Sequence, residues 1–405
     1  MNSSGAPIWN PFREGFLEDL HKDLRRYREQ NPVHKGINKQ WMLFKYQDVK
    51  RTLADPIFET ISISQMTRAA AARFENSRKF DGLAEATEKW VLFLDPPEHT
   101  RVRTLISNAW KKFDLDAVIR RIVRIVLDRI SERDEVDLIR DFAMPIPTQV
   151  MCKILGFPVE DFERIKTWSA AFELLLEQFV TVDTLLGANK RAEEFYSYTV
   201  RAVEAKTGKP EDDLISMILA ENQKLDQPLS TSEIISIISQ LIMAGIETTS
   251  GILGQSILEL IRNPSQKEVL IGNGSITPTA IEELVRFTSP APIALRTPLE
   301  DVEFGGHLIR KGEVIVAYIA SANRDADVFD QPDVLKLDRQ PNPHLAFGHG
   351  FHYCLGAALG RAEIRIAIPA LLNKYPALDQ HPEKQHVWEP HFSIRRLNSL
   401  PVVFR

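Results

Sequence analysis

The chain has 405 residues, 44% of them hydrophobic and 26% charged, with a formal net charge of −5. That balance is ordinary for a globular protein and excludes nucleic acid as the main partner. Two cysteines are too few for a disulfide scaffold and suit a reducing cytoplasm.

Residues 1–30 carry Asn10-Pro11-Phe12 and then a charged amphipathic helix with Phe16, Leu17, Leu20, Leu24 and Tyr27 on one side. Neither a signal-peptide core nor a long apolar span occurs there, so no membrane attachment is expected. Short strand-like pieces follow around Val33 and Trp41–Tyr46, and residues 64–89 read as a helix-and-loop excursion rich in alanine and charge. Asp95-Pro96-Pro97-Glu98 opens a helix sharply, because proline is tolerated in a first turn and acids suit that end. Helical periodicity then dominates to about residue 270.

The longest helix is expected between the capping box Ser230-x-x-Glu233 and Asn263-Pro264, roughly 32 residues spanning about 48 Å. Its centre, Ser239 to Gly254, is apolar nearly all round, which marks a buried helix. Glu247 and Thr248 are costly there unless they work or are well paired. Beyond it, Val302–Ile319 changes period, and the breaks at Gly305-Gly306 and Lys311-Gly312 predict two tight hairpins. No linker, charge block or repeat divides the chain. The expected fold is mainly α with small β-sheets (α+β), a single domain over 1–405.

Near the end the chain reads Phe347-Gly348-His349-Gly350-Phe351-His352-Tyr353-Cys354-Leu355-Gly356, followed by a helical run to Tyr375. Glycines let backbone N–H groups approach the Cys354 sulfur, and the helix start adds its positive end. Both favour thiolate over thiol. Such a lone thiolate suits soft ligation of one iron. Two other readings stand beside it. Cys354 could be a small buried hydrophobe, as Cys152 in its apolar segment is expected to be. His344, His349 and His352 could join Cys354 around zinc, although their spacing matches no usual zinc pattern.

This segment resembles the haem-binding signature of the cytochrome P450 family, and the resemblance, closest to soluble bacterial members, extends over nearly the whole chain. It implies a mostly helical, single-domain prism holding haem b (iron protoporphyrin IX) between two long helices, with Cys354 as the axial iron ligand. It also implies that His99, Arg103, Arg296 and His352 clamp the haem propionates, and that Ala244 and Phe347 lie against the ring. The stretch from Ala244 to Thr249 corresponds to the family's oxygen-activating segment. There Gly245 leaves room over the haem, and Glu247 with Thr248 forms the acid–alcohol pair that relays protons to dioxygen. For the threonine, the structural alternative is a bond back to the carbonyl four residues earlier, and both can hold at once. Glu283-x-x-Arg286 with Arg339 resembles the family's buried carboxylate–guanidinium lock, a scaffold rather than a catalyst. The chain departs from the usual pattern after the cysteine, with Ala358 for proline and Gly360 for alanine.

By the same resemblance the substrate pocket is lined by the 64–89 excursion, Leu174–Leu186, Gln240, Met243, Ile293, Ala294, Leu295, Phe392 and Ile394. A hydrophobic organic substrate is expected. Gln240 lies four residues before Ala244 and eight before Thr248, on one helix face, and its amide is expected to bond a polar substrate group; the alternative is an amide satisfied within the packing. Arg101, Lys111, Lys112, Arg361 and Arg365 would steer an acidic electron carrier, a ferredoxin or flavodoxin served by an NAD(P)H-dependent reductase. The expectation is therefore a cytoplasmic, monomeric monooxygenase using O2. Desaturation, oxidative coupling, ring formation or peroxide use on the same scaffold are the enzymatic alternatives, and a haem sensor or ligand carrier is the non-enzymatic one.

Overall fold

The computed structural model describes residues 9–404 apart from 12, 37, 65–66, 68–79, 111–113, 132, 134 and 178–179. In chain order the helices are α1 (Leu20–Gln30), α2 (Tyr46–Ala54), α3 (Asp81–Ala86), α4 (Glu98–Trp110), α5 (Leu115–Ile130), α6 (Pro145–Leu155) and α7 (Phe162–Glu173). They continue with α8 (Val182–Gly208), α9 (Leu214–Asn222), α10 (Thr231–Arg262), α11 (Pro264–Asn273), α12 (Pro278–Thr288), α13 (Ile319–Ala322) and α14 (Ala357–Lys374). The strands are short: β1 (Val33–Lys35), β2 (Trp41–Leu43), β3 (Phe58–Glu59), β4 (Val136–Asp137), β5 (Ala294–Pro298) and β6 (Val302–Phe304). After them come β7 (His307–Ile309), β8 (Ile315–Ala317), β9 (Leu378–Gln380), β10 (Val387–Trp388), β11 (Leu397–Ser399) and β12 (Pro401–Phe404). Helices dominate, as the period of the apolar residues requires.

Two compact units emerge. One comprises Met1–Thr60, Arg133–Arg140 and Gly251–Arg405. Its largest sheet runs β1-β2-β8-β5-β3, with β2 and β8 parallel and the other pairs antiparallel. One core cluster includes Leu43, Val49, Ile309, Ile315 and Phe329. A second is aromatic: Phe44 stacks on Tyr318 with ring centroids 4.8 Å apart, and Trp9 meets Tyr27 edge-on at 5.2 Å. On α14, Glu363 is fully buried with no partner for either carboxylate oxygen among the described residues, and burial pushes its pKa up, favouring the neutral form.

Two strand expectations are corrected here. The break at Gly305-Gly306 does make the β6–β7 hairpin, with Val302 opposite Ile309. The turn at Lys311-Gly312 makes no second hairpin: β8 leaves β7 and inserts between β2 and β5 instead. Its three residues are all buried there, a gain the exposed β7 edge cannot offer. Tyr46 opens α2 rather than ending a strand.

The other unit comprises Ile61–Glu132 and Asp141–Ser250. It is built from α3 to α9 and the first part of α10. Phe172 and Trp168 of α7 pack edge-on against Phe195 of α8 at 5.2 and 5.6 Å, and Trp90 meets Phe172 at 6.2 Å. The α10 start matches expectation: Glu233 accepts from the Ser230 N–H at 2.8 Å, and Ser230 Oγ accepts from the Glu233 N–H at 3.3 Å. Among the described residues α10 alone is long and apolar enough to cross a membrane. Its most apolar window is 72% buried, which identifies it as a core helix.

Candidate active site

The loop before α14 is shaped by two glycines. Gly348 and Gly350 have φ of 75° and 69°, where a side chain is strained. A Cβ on Gly350 would also stand 2.9 Å from the Ala54 Cα and 3.0 Å from the Leu53 carbonyl oxygen. With the chain so bent, the Cys354 N–H donates to the Phe347 carbonyl at 2.7 Å and the thiol is exposed, three residues before α14 begins. Cys152 is the opposite case. It is buried, and desolvation drives its pKa up to about 12.

An unforeseen residue, Glu282 on α12, braces this loop from both sides. It accepts from His344 Nε2 at 2.9 Å and from Arg361 Nε at 2.6 Å and Nη2 at 3.0 Å. Arg361 in turn reaches the Tyr353 hydroxyl at 3.2 Å and lies 4.4 Å over the Phe347 ring. The zinc alternative is thereby corrected. His344 Nε2 is engaged by Glu282, its Nδ1 accepts from the Ala346 N–H at 3.3 Å, and no metal-holding group of three His, Cys, Asp or Glu occurs among the described residues.

Burial alone would raise the Glu282 pKa, but the bonds from His344 and Arg361 outweigh it and hold the group at about 2. A depressed carboxylate stabilises the fold above its unfolded value near 4.5 and loses that contribution as pH falls toward 2. Glu282→Gln should therefore lower the urea midpoint at neutral pH, and the gap from the parent protein should close between pH 4.5 and 2. A gap that persists unchanged at the acid end would show that the carboxylate charge is not what matters.

Next to it, Glu283 is fully buried and bonded to both expected arginines. Arg286 donates Nε at 2.7 Å and Nη2 at 2.8 Å, and Arg339 donates Nε at 3.0 and 3.1 Å. The Lys336 N–H at 2.9 Å and Asn342 Nδ2 at 3.3 Å complete the cage. The arginines' remaining donors hold backbone carbonyls of Asn323, Asp330 and Pro332. These bonds fix the chain segment that leads to the cysteine loop.

Along α10, Ala244 is exposed in the middle of an otherwise buried helix, and Gln240 and Thr248, one turn before and after it, are partly exposed. The three form a stripe of one face. Thr248 Oγ1 donates to the Ala244 carbonyl at 2.6 Å. Glu247 points elsewhere: it is 1% exposed and its Oε1 accepts from Ser169 Oγ of α7 at 2.6 Å. Gln240 Oε1 is engaged by the Val91 N–H at 2.6 Å. With Ser236, which accepts from the Lys89 N–H, and Ser239, which accepts from Trp90 Nε1, it pins the segment before α4. The amide oxygen thus satisfies the packing, the second of the two readings offered for it. Gly245 is also corrected, because the space it leaves is filled by Met151, whose Sδ lies 2.7 Å from where a Cβ would be.

The remaining expected residues fall as follows. His99 is buried on α4, and Arg103, one turn on, is partly exposed. Arg296 lies buried on β5 with Nη1 on the Leu295 carbonyl at 2.8 Å, and His352 is partly exposed beside the cysteine. Ile293, Leu295 and Phe392 pack at the margin of the aromatic cluster and Ala294 at that of the neighbouring one, whereas Met243 and Ile394 are buried. Of the steering cations, Arg101 is paired with Glu98 and Arg361 with Glu282, so neither presents a bare charge. Lys111 and Lys112 lie outside the described residues, as do 65–66, 68–79 and 178–179 of the expected pocket lining.

Comparison with known proteins agrees with this geometry. The family model for cytochrome P450 matches residues 62–396. The putative cytochrome P450 YjiB of Bacillus subtilis (strain 168) is 33% identical over 381 residues, 92% of this chain and 89% of its own. The vitamin D(3) 25-hydroxylase of Pseudonocardia autotrophica is 32% identical over 387 residues, 93% of this chain and 92% of its own. Among solved structures, P450BioI in complex with an acyl carrier protein bearing hexadec-9Z-enoic acid superimposes with a TM-score of 0.87 at 32% identity, covering 96% of this chain and 100% of that one. The chain belongs to the cytochrome P450 family of monooxygenases, enzymes built around a haem iron held by a cysteine thiolate.

Proposed function

We propose that the protein inserts one oxygen atom of O2 into a hydrophobic organic molecule, returning the other as water, with two electrons from a separate ferredoxin or flavodoxin and two protons from solvent. The observation that carries this reading is the exposed Cys354 thiol in a loop braced on both sides. An exposed soft donor close to a helix start fits an iron ligand. The group is haem b, which when bound supplies the activation of dioxygen. The chain acts in this reading as one haem domain, monomeric and cytoplasmic.

His99, Arg103, Arg296 and His352 are the cations that would hold the propionates; His99 and Arg103, four apart on α4, can share one target. Ala244 offers a methyl-sized surface on the open stripe, and Phe347 is fixed by Arg361. The Thr248 hydroxyl donates to its own helix, which leaves its oxygen to accept from a water on that stripe. Glu247 is the carboxyl that stores and passes the proton. Partly exposed Ile293, Leu295 and Phe392 would contribute apolar surface to the substrate.

Glu247→Gln and Thr248→Ala should each lower turnover about 100-fold or more, with most electrons lost to peroxide or water. Haem content and the reduced carbon-monoxide spectrum should stay as in the parent. Product formed per NAD(P)H consumed, with ferredoxin and flavodoxin systems supplied in turn, checks this; parental coupling in both variants would remove the acid–alcohol reading.

A further inference from the structure

We infer that Ser169 is the positioning residue for Glu247, a neutral tether that holds the carboxyl through its gain and loss of a proton. The inference rests on the proton-carrying role given to Glu247 above.

Ser169 and Glu247 belong to the same compact unit, 78 residues apart in sequence, and neither is more than 1% exposed. Their contact is a direct bond of 2.6 Å from the Ser169 hydroxyl to the Glu247 carboxyl. The chemistry of the partner matters more than the distance. A lysine or arginine donates only, so it would grip the carboxylate and resist its protonation. A hydroxyl both donates and accepts. Ser169 can donate to Glu247 while the acid is ionised, and by turning its O–H it can accept from the protonated form. The bond therefore survives a proton cycle that would break a salt bridge.

The tether is also well anchored. Trp168 and Phe172, which flank Ser169 on α7, are locked edge-on against Phe195, and Phe172 also against Trp90. Ser169 thus cannot follow Glu247 if the latter moves, and it sets one fixed end point for the carboxyl. That end point lies on the α7 side of α10, off the open Gln240–Ala244–Thr248 stripe. Glu247 and Thr248, adjacent in sequence, project about 100° apart around the helix, and this bond holds the Glu247 carboxyl on its own face.

A double-mutant cycle on the haem-loaded protein tests it. Ser169→Ala and Glu247→Ala should be non-additive in urea unfolding, with a coupling factor of about tenfold or more in the unfolding constant, the size of a hydrogen bond to a charged group. In turnover, Ser169→Ala should reduce kcat about tenfold, leave KM for substrate unchanged and alter the solvent deuterium isotope effect. Ser169→Thr, which keeps the hydroxyl, should restore both readouts, and it keeps the test open if the alanine variant folds poorly. Additive stabilities with parental coupling in Ser169→Ala, while Glu247→Gln is impaired, would overturn the tether and leave the proton role intact. Parental turnover in Glu247→Gln itself would overturn both.

Discussion

Replacing Cys354 by histidine is expected to yield a folded protein whose reduced carbon-monoxide adduct changes from thiolate-type to histidine-type absorption, with O2-dependent turnover at background. The fold should survive because the thiol is exposed and adds nothing to a core. Surface changes of this kind move stability by about 0.5 kcal/mol or less. The chemistry should not survive, because imidazole donates as a neutral ligand where the thiolate brings a charge. Nor can the other cysteine substitute. Cys152 is buried in α6 with its pKa driven up to about 12, so it is a thiol at any working pH. Absorption of the purified variant, reduced under carbon monoxide, decides the matter; a thiolate-type band in Cys354→His would refute the assigned ligand.

Glu283→Ala should be the most damaging change that touches no substrate. The carboxylate is fully buried and receives donors from Arg286, Arg339, Lys336 and Asn342. Removing it leaves two guanidinium groups in the interior without their counter-charge, a loss of about 3–5 kcal/mol for a broken buried pair. Because those guanidiniums also hold the carbonyls of Asn323, Asp330 and Pro332, the loss should spread toward the cysteine loop. Haem should then dissociate at lower urea concentration than in the parent. Glu283→Gln keeps acceptor and shape and should lose less. Urea titration followed by both haem absorption and far-ultraviolet dichroism measures this, and a loss below about 1 kcal/mol would contradict the lock. Lysine at 286 or 339 should not rescue function, since a single ammonium cannot reproduce the planar fork that meets carboxylate and carbonyls together.

Much of the fold was legible because its signals are local. The capping box at Ser230 and the break at Asn263-Pro264 gave the limits of α10 to within a residue. The Gly305-Gly306 turn marked its hairpin, and the glycines around Cys354 marked a loop that no side chain could replace at 348 and 350. At Lys311-Gly312 the same kind of signal misled. Turn residues say where a chain bends, whereas the strand that receives it is decided by burial against distant neighbours.

From its residues alone, then, the chain determined that it is mostly helical, that one long buried helix precedes a glycine-bent cysteine loop in sequence, and which family it resembles. These are matters of periodicity, turn chemistry and motif spacing, each contained within a few tens of residues. Tertiary structure alone decided that β8 pairs with β2 and β5, that Gln240 holds Val91, that Met151 fills the space at Gly245, that Glu282 ties His344 to Arg361, and that Glu247 turns to Ser169. Each of these joins residues far apart in sequence. A buried polar group takes whichever partner the packing brings within reach, and no local pattern names that partner in advance.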